Sequence, residues 1–214
     1  SPPPTFEKYE SIRQIHPSRA HFLNGTVVLT EKIHGAYFLF NIRLVNGKMV
    51  LNCGKRNGII GPTENFFSHR VVLQKYEKNL DRLMEFLSTT DNFSEISISG
   101  ELHGGYYHGQ TAPGSKAIQK SKFSNYCKEN DFVVFDIKLN GKWLCWDEVI
   151  DFCKTRLQMN HVPEIARGSW EDIRSFNVDS QQSFLAEMYN GNDGEDNPIE
   201  GVVIRLERPE FTKP

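Results

Sequence analysis

The chain has 214 residues, of which 38% are apolar and 24% charged, and a formal net charge of -2. That length can bury a core of its own, and the near-neutral balance excludes a globally basic nucleic-acid-coating protein, so any nucleic-acid surface must be a local patch or lie outside this chain. No apolar run approaches the roughly 18 residues of a membrane span, and Cys53, Cys127, Cys145 and Cys153 form no C-x-x-C pair and join no histidine cluster, which argues against membrane and zinc and for a reducing, intracellular compartment.

Residues 1–5 open on Ser1-Pro2-Pro3-Pro4, neither a signal peptide nor a basic presequence, and are read as a linker or an expression remnant ahead of a domain over 6–214. Strands are predicted over 26–31, 36–44 and 48–53, the last two joined by an Asn46-Gly47 turn. Leu73, Tyr76, Leu80, Leu83 and Leu87 recur at three- and four-residue steps and predict a helix from Glu64 to Ser88 with one apolar face for the core. Further strands fall over 95–102 and 131–138, followed by a second turn, Asn140-Gly141, and a helix from Asp147 to Leu157. Ser169 with Asp172 reads as a capping box for a short helix to Phe176, and Asp179 is expected to cap another through Tyr189. The charged segment from Gly191 to Pro198 lacks calcium-loop spacing and reads as a solvated loop.

Four segments carry the candidate chemistry. The first is Glu31-Lys32-Ile33-His34-Gly35, a bend between the first two strands, where Gly35 leaves room for close backbone approach. Alone, this spacing fits an ordinary surface lysine in a hairpin. Downstream come Gly100-Glu101-Leu102 at a strand end, Phe132-Val133-Val134-Phe135-Asp136-Ile137, and Glu200-Gly201-Val202-Val203-Ile204-Arg205. Taken in this order, they resemble the covalent nucleotidyltransferase superfamily of ATP-dependent ligases and capping enzymes. His34 sharpens the resemblance to the RNA ligase 2 family, which includes phage RNA ligases and the kinetoplastid RNA-editing ligases. So do Phe6-Glu7-Lys8-Tyr9-Glu10-Ser11-Ile12, Cys53-Gly54-Lys55-Arg56-Asn57-Gly58, Glu64-Asn65-Phe66-Phe67 and Ile118-Gln119-Lys120.

The resemblance implies an ATP-dependent RNA ligase that is monomeric, uses ATP with Mg²⁺ or Mn²⁺, and joins RNA 5′-phosphate and 3′-hydroxyl ends through a lysyl-AMP intermediate. Lys32 would form the phosphoamide, Glu101 would bond the ribose and Phe135 would stack on adenine. Backbone around Glu31 and Ile33 would read the adenine edge, while His34 and Gly35 complete the nucleotide bend. Lys55, Arg56 and Tyr37 would meet ribose or the RNA end, Glu200 would hold the metal or orient the nucleophile, and Arg205 would contact phosphate. The chemistry itself requires a free amine, whereas an unperturbed lysine titrates near about 10.4, so burial and neighbouring cations must help release its proton. The fold implied is α+β, a nucleotidyltransferase (ATP-grasp-like ligase) domain with antiparallel sheets flanked by helices around an ATP cleft.

Each assignment has a plainer competitor: Phe135 as core, Glu101 and Glu200 as salt-bridge partners, Arg56 as a surface charge. Two departures from the family pattern stand out. Ala36-Tyr37 occupies the place of a polar pair, and no Lys-x-Lys follows Arg205, so a loop and a lysine strand are expected in the natural protein near residues 207–208. A DNA ligase or capping guanylyltransferase, and a catalytically silent module binding nucleotide or RNA ends, are the alternatives.

Overall fold

The computed structural model describes residues 24–208; the opening motif at 6–12 and the tail beyond Arg208 lie outside the described residues. Two antiparallel sheets form the frame. The smaller has the order β8-β1-β9, from β8 (Glu164–Gly168), β1 (Val27–Glu31) and β9 (Val202–Leu206). The larger has the order β4-β3-β2-β5-β6-β7, from β4 (Gly58–Ile59), β3 (Lys48–Lys55), β2 (Ala36–Val45), β5 (Glu95–Tyr106), β6 (Cys127–Leu139) and β7 (Lys142–Trp143). The chain leaves the small sheet at Glu31 and enters the large one at Ala36, so the Lys32 bend is the seam between them.

Local sequence explains most elements. Asn46 and Gly47 take φ of 50° and 75°, and Asn140 and Gly141 take 49° and 80°, the paired left-handed geometry that a two-residue hairpin with right-handed strand twist requires. Phe38, Phe40 and Ile42 alternate along β2 into the main core. There they meet Val72, Tyr76, Leu80, Leu83 and Leu87 of helix α1 (His69–Ser88). A smaller core on the outer face of the small sheet gathers Val27, Leu29, Ile204 and Trp170. No helix among the described residues is long and apolar enough to cross a membrane.

Four helix boundaries differ from the sequence expectation. Helix α1 starts at His69 rather than Glu64, because Phe67 and Ser68 hold φ of 44° and 57° and break the right-handed path. The helix expected over 147–157 is α2 (Trp146–Phe152) followed by a π-helical turn, Cys153–Leu157. Asn79 Nδ2 donates to the Leu157 and Gln158 carbonyls at 2.9 and 3.2 Å, satisfying acceptors at that helix end. The helix expected from Asp179 begins only at Phe184, as α4 (Phe184–Asn190), capped by Ser183 Oγ accepting from Ala186 N at 3.0 Å. The Ser169–Asp172 capping box does form, ahead of α3 (Trp170–Ile173), but the helix ends three residues before the expected Phe176.

Asp131 ties the layers together behind the seam. Only 2% exposed, it accepts from Lys75 Nζ at 2.7 Å and Tyr76 Oη at 2.6 Å on α1, and from Tyr189 Oη at 2.7 Å on α4. Burial pushes its carboxyl up, but His103, Lys75 and Tyr76 outweigh burial and hold it below the usual carboxylate range. Its stabilisation is therefore present above the ordinary carboxylate pKa and lost as pH falls through the lowered one. Replacing Asp131 with alanine leaves buried donors unpaired and is expected to cost roughly 3–5 kcal/mol, read as a lower urea midpoint.

Candidate active site

The seam brings Lys32 and Glu200 together. The β1/β9 ladder runs from Val27↔Leu206 to Glu31↔Val202, and Lys32 N extends it by donating to Gly201 O at 3.0 Å. Glu200 thus arrives beside Lys32, whose Nζ donates to Glu200 Oε1 at 2.5 Å. Glu200 Oε2 lies 3.5 Å from His34 Nδ1, so its two oxygens face two residues of one bend. The Lys32 side chain stays 43% exposed against 21% for Glu200, so the amine is reachable from solvent and has a carboxylate beside it, in place of the burial and neighbouring cations expected from sequence.

The bend is held from outside. His34 N donates to Tyr126 Oη at 2.9 Å, and Gln119 Nε2 donates to Gly35 O at 3.3 Å. A Cβ on Gly35 would fall 2.0 Å from the Leu102 carbonyl oxygen and 3.0 Å from Glu101 Cγ, so only glycine lets the bend lie flat against β5. Ile33 is buried in the main core. Glu31 is buried too, and its side chain turns away from the amine: Oε1 accepts from Ser183 Oγ at 2.6 Å and Oε2 from Leu185 N at 2.9 Å. Burial pushes the Glu31 carboxyl up to about 7 against the hydrogen bonds from Ser183 and α4.

Glu101 stands opposite Tyr37 in the β2/β5 register, so the two side chains share a face. Burial first, then the Glu200 charge, pushes Glu101 up to about 8, partly offset by Arg56 and Lys32. At neutral pH it therefore holds its proton and can donate a hydrogen bond. The Tyr37 hydroxyl pairs with Ser99 Oγ at 3.1 Å, and its ring centroid lies 6.0 Å from that of Phe135.

Phe135 occupies a β-bulge: Ser99 pairs with Asp136 and Gly100 with Val134, leaving Phe135 as the extra residue. Such an insertion re-aims a side chain that simple alternation would direct elsewhere.

The remaining residues named from sequence are distributed less evenly. Arg56 is exposed at the end of β3, close enough for its charge to act on Glu101 and Tyr37. Lys55 is engaged by Glu64 and lies 5.8 Å from the Phe66 ring centroid. Arg205 bridges the two sheets, donating to Phe135 O at 2.6 Å and Asp136 Oδ1 at 2.9 Å while its guanidinium stacks 4.5 Å over Trp146. In this structure its contacts lie with β6 and α2, not with Lys32.

Sequence reasoning missed Tyr126 and Ser183 as supports of the bend. Tyr126 carries no positional signal, whereas Ser183 ahead of Phe184-Leu185-Ala186 is a readable helix cap. Among the described residues no cluster of three or more His, Cys, Asp or Glu side chains could cage a metal. Glu200 as a lone carboxylate donor suits an ion that keeps water and substrate phosphates as most of its ligands.

Two expectations follow from this geometry. Gly35→Ala must displace backbone and is expected to cost at least about 1–3 kcal/mol, seen as a lower Tm. A raised carboxyl binds its proton more tightly in the folded state, so Glu101 contributes a loss of stability as pH rises from 4.5 to about 8. Glu101→Gln should flatten the pH dependence of the urea midpoint across that window.

Comparisons with known proteins identify the family and the fold. A family model described as RNA ligase matches residues 25–213. The mitochondrial RNA-editing ligase 2 of Trypanosoma brucei brucei is 26% identical over 201 residues, covering 81% of this chain and 48% of that protein. The mitochondrial RNA-editing ligase 1 of the same organism is 28% identical over 208 residues, covering 83% and 44%. The chain thus spans less than half the length of these relatives.

Solved structures of Naegleria gruberi RNA ligase share the fold. An apo mutant gives a TM-score of 0.64 at 18% identity, covering 97% of this chain and 55% of that one. A mutant with ATP and Mn gives 0.62 at 18% identity, covering 94% and 53%.

Proposed function

The chain belongs to the RNA ligase family, and from that premise we propose that it is the adenylyltransferase part of an ATP-dependent RNA ligase, with Lys32 as the nucleophile. The observation that carries the reading is the Lys32–Glu200 contact at 2.5 Å, made by an amine open to solvent and a carboxylate from the far end of the chain. Lys32 Nζ attacks the α-phosphorus of ATP; a P–N bond forms, the bond to the bridging oxygen breaks, and pyrophosphate leaves. Glu200 is the base within hydrogen-bond reach of the departing ammonium proton.

Glu101, protonated at neutral pH, donates to a ribose oxygen. Phe135 on its bulge offers a face for adenine, and backbone at Ile33 reads the purine edge. Arg56 supplies positive charge at the rim, next to Tyr37. Lys55 reaches an RNA end only by exchanging its contact with Glu64. Arg205 acts here by holding β6 against the small sheet, with phosphate contact as its second role.

Glu200 would be the carboxylate that meets a divalent ion, Mg²⁺ or Mn²⁺, which would supply charge to stabilise the leaving pyrophosphate. The lysyl-AMP then passes AMP to an RNA 5′-phosphate, and a 3′-hydroxyl displaces it.

Incubation with divalent metal and α-labelled ATP or GTP, resolved on a denaturing gel, tests the first transfer. Label from ATP alone, abolished in Lys32→Ala and reduced by about 10²-fold or more in Glu200→Ala, is the expected result. Equal label from GTP would instead favour a capping guanylyltransferase, and no label from the wild type would favour a silent nucleotide- or RNA-end-binding module.

A further inference from the structure

Between Glu101 and Glu129 the chain contains no Asp or Glu but carries Lys116, Lys120, Lys122 and Lys128. All four lysines are exposed. In a chain of net charge -2 this is a concentrated positive segment, spanning the end of β5, the connection and the start of β6. It lies against the Lys32 bend, which Gln119 and Tyr126 of the same segment hold.

The segment is pinned rather than loose. Buried Asn130 clamps Lys116, with Lys116 N donating to Asn130 Oδ1 at 3.0 Å and Asn130 Nδ2 donating to Lys116 O at 2.6 Å. Ile118 N donates to Gly104 O at 3.2 Å, and Ser121 N donates to Ser124 Oγ at 2.8 Å. Two of the ammonium groups sit on aromatic rings, Lys120 Nζ 5.5 Å from the Tyr106 centroid and Lys122 Nζ 4.8 Å from that of Phe123. Cations fixed in position forfeit less ordering entropy when a polyanion arrives.

Resting on the reading of the site given above, we propose that the Lys116–Lys128 connection is a phosphate-tracking surface that receives the RNA strand beside the reacting end. At the site the Lys32 charge is already matched by Glu200, so a polyanion reaching Lys32 needs compensating charge close by. Cations spread along a segment, with no carboxylate between them, match a row of phosphates better than one nucleotide. Among the described residues Asp193 bonds Tyr107 and Glu195 lies beside His108, at the start of the connection and ahead of its lysines.

The test is equilibrium binding of a nicked RNA duplex with a 5′-phosphate at the nick, across about 50–200 mM salt. It compares the wild type with Lys120→Ala/Lys122→Ala and with Lys48→Ala/Lys142→Ala, whose lysines lie on β3 and β7. Loss of two phosphate contacts makes the slope of log affinity against log salt shallower by about 1.4–1.8. That change is expected in the first variant only, with lysyl-AMP formation from ATP unchanged within about twofold. An unchanged slope, an equal change in the second variant, or no RNA binding by the wild type overturns the surface, and lysyl-AMP formation in the same preparations leaves the ligase reading standing. Loss of lysyl-AMP in parallel with RNA affinity also overturns it, because the lysines would then be acting on the nucleotide step.

Discussion

The β1/β9 ladder is the constraint on which the rest of the site depends. Lys32 and Glu200 are separated by 168 positions in sequence, and nothing local draws them together. Pairing from Val27↔Leu206 to Glu31↔Val202 fixes the register, and the Lys32–Gly201 rung continues it past the strand. A one-residue slip would turn every β9 side chain to the opposite face. Glu200 would then leave the amine, and Arg205 would leave Phe135 and Trp146. The same register that supports the small core thus sets the chemistry.

Around that seam the protein sorts its carboxylates by environment. Glu200 is partly open and paired with an amine. Glu101 is desolvated and shifted to about 8, which makes it a hydrogen-bond donor at neutral pH. Glu31, adjacent to Lys32 in sequence, faces the other way and fastens α4. Asp131 lies deeper, held below the usual carboxylate range by His103, Lys75 and Tyr76 and bonded as well by Tyr189. Acids of closely similar intrinsic pKa thereby serve as partner, donor, clamp and tie, the difference lying in burial and neighbours.

Much of this was legible in the sequence, and the reasons are local. The two Asn-Gly turns, the alternation of β2 and the helical period of α1 depend on short-range sterics and one apolar face, so pattern alone reveals them. The lysine bend was legible through its flanking strands. Other features were not, because they depend on tertiary contacts. The strand β8 is short and carries Glu164 and Arg167, whose charges meet Trp146 and Glu207 from elsewhere in the fold. The left-handed pair Phe67-Ser68 uses residues that rarely adopt it. The bulge at Phe135 defeats period-two counting, and the bonds of Arg205 to Phe135 O and Asp136 Oδ1 on the facing sheet carry no sequence signal.

The most direct test of the account is a crystal structure of the Lys32→Met chain with ATP and Mn²⁺, where the nucleotide can bind but not react. The account predicts the α-phosphate beside Glu200 at the place of the missing ammonium, the ribose against Glu101 and the adenine against Phe135. ATP seated on another surface, or adenine lying away from Phe135 with the α-phosphate remote from Glu200, would contradict it.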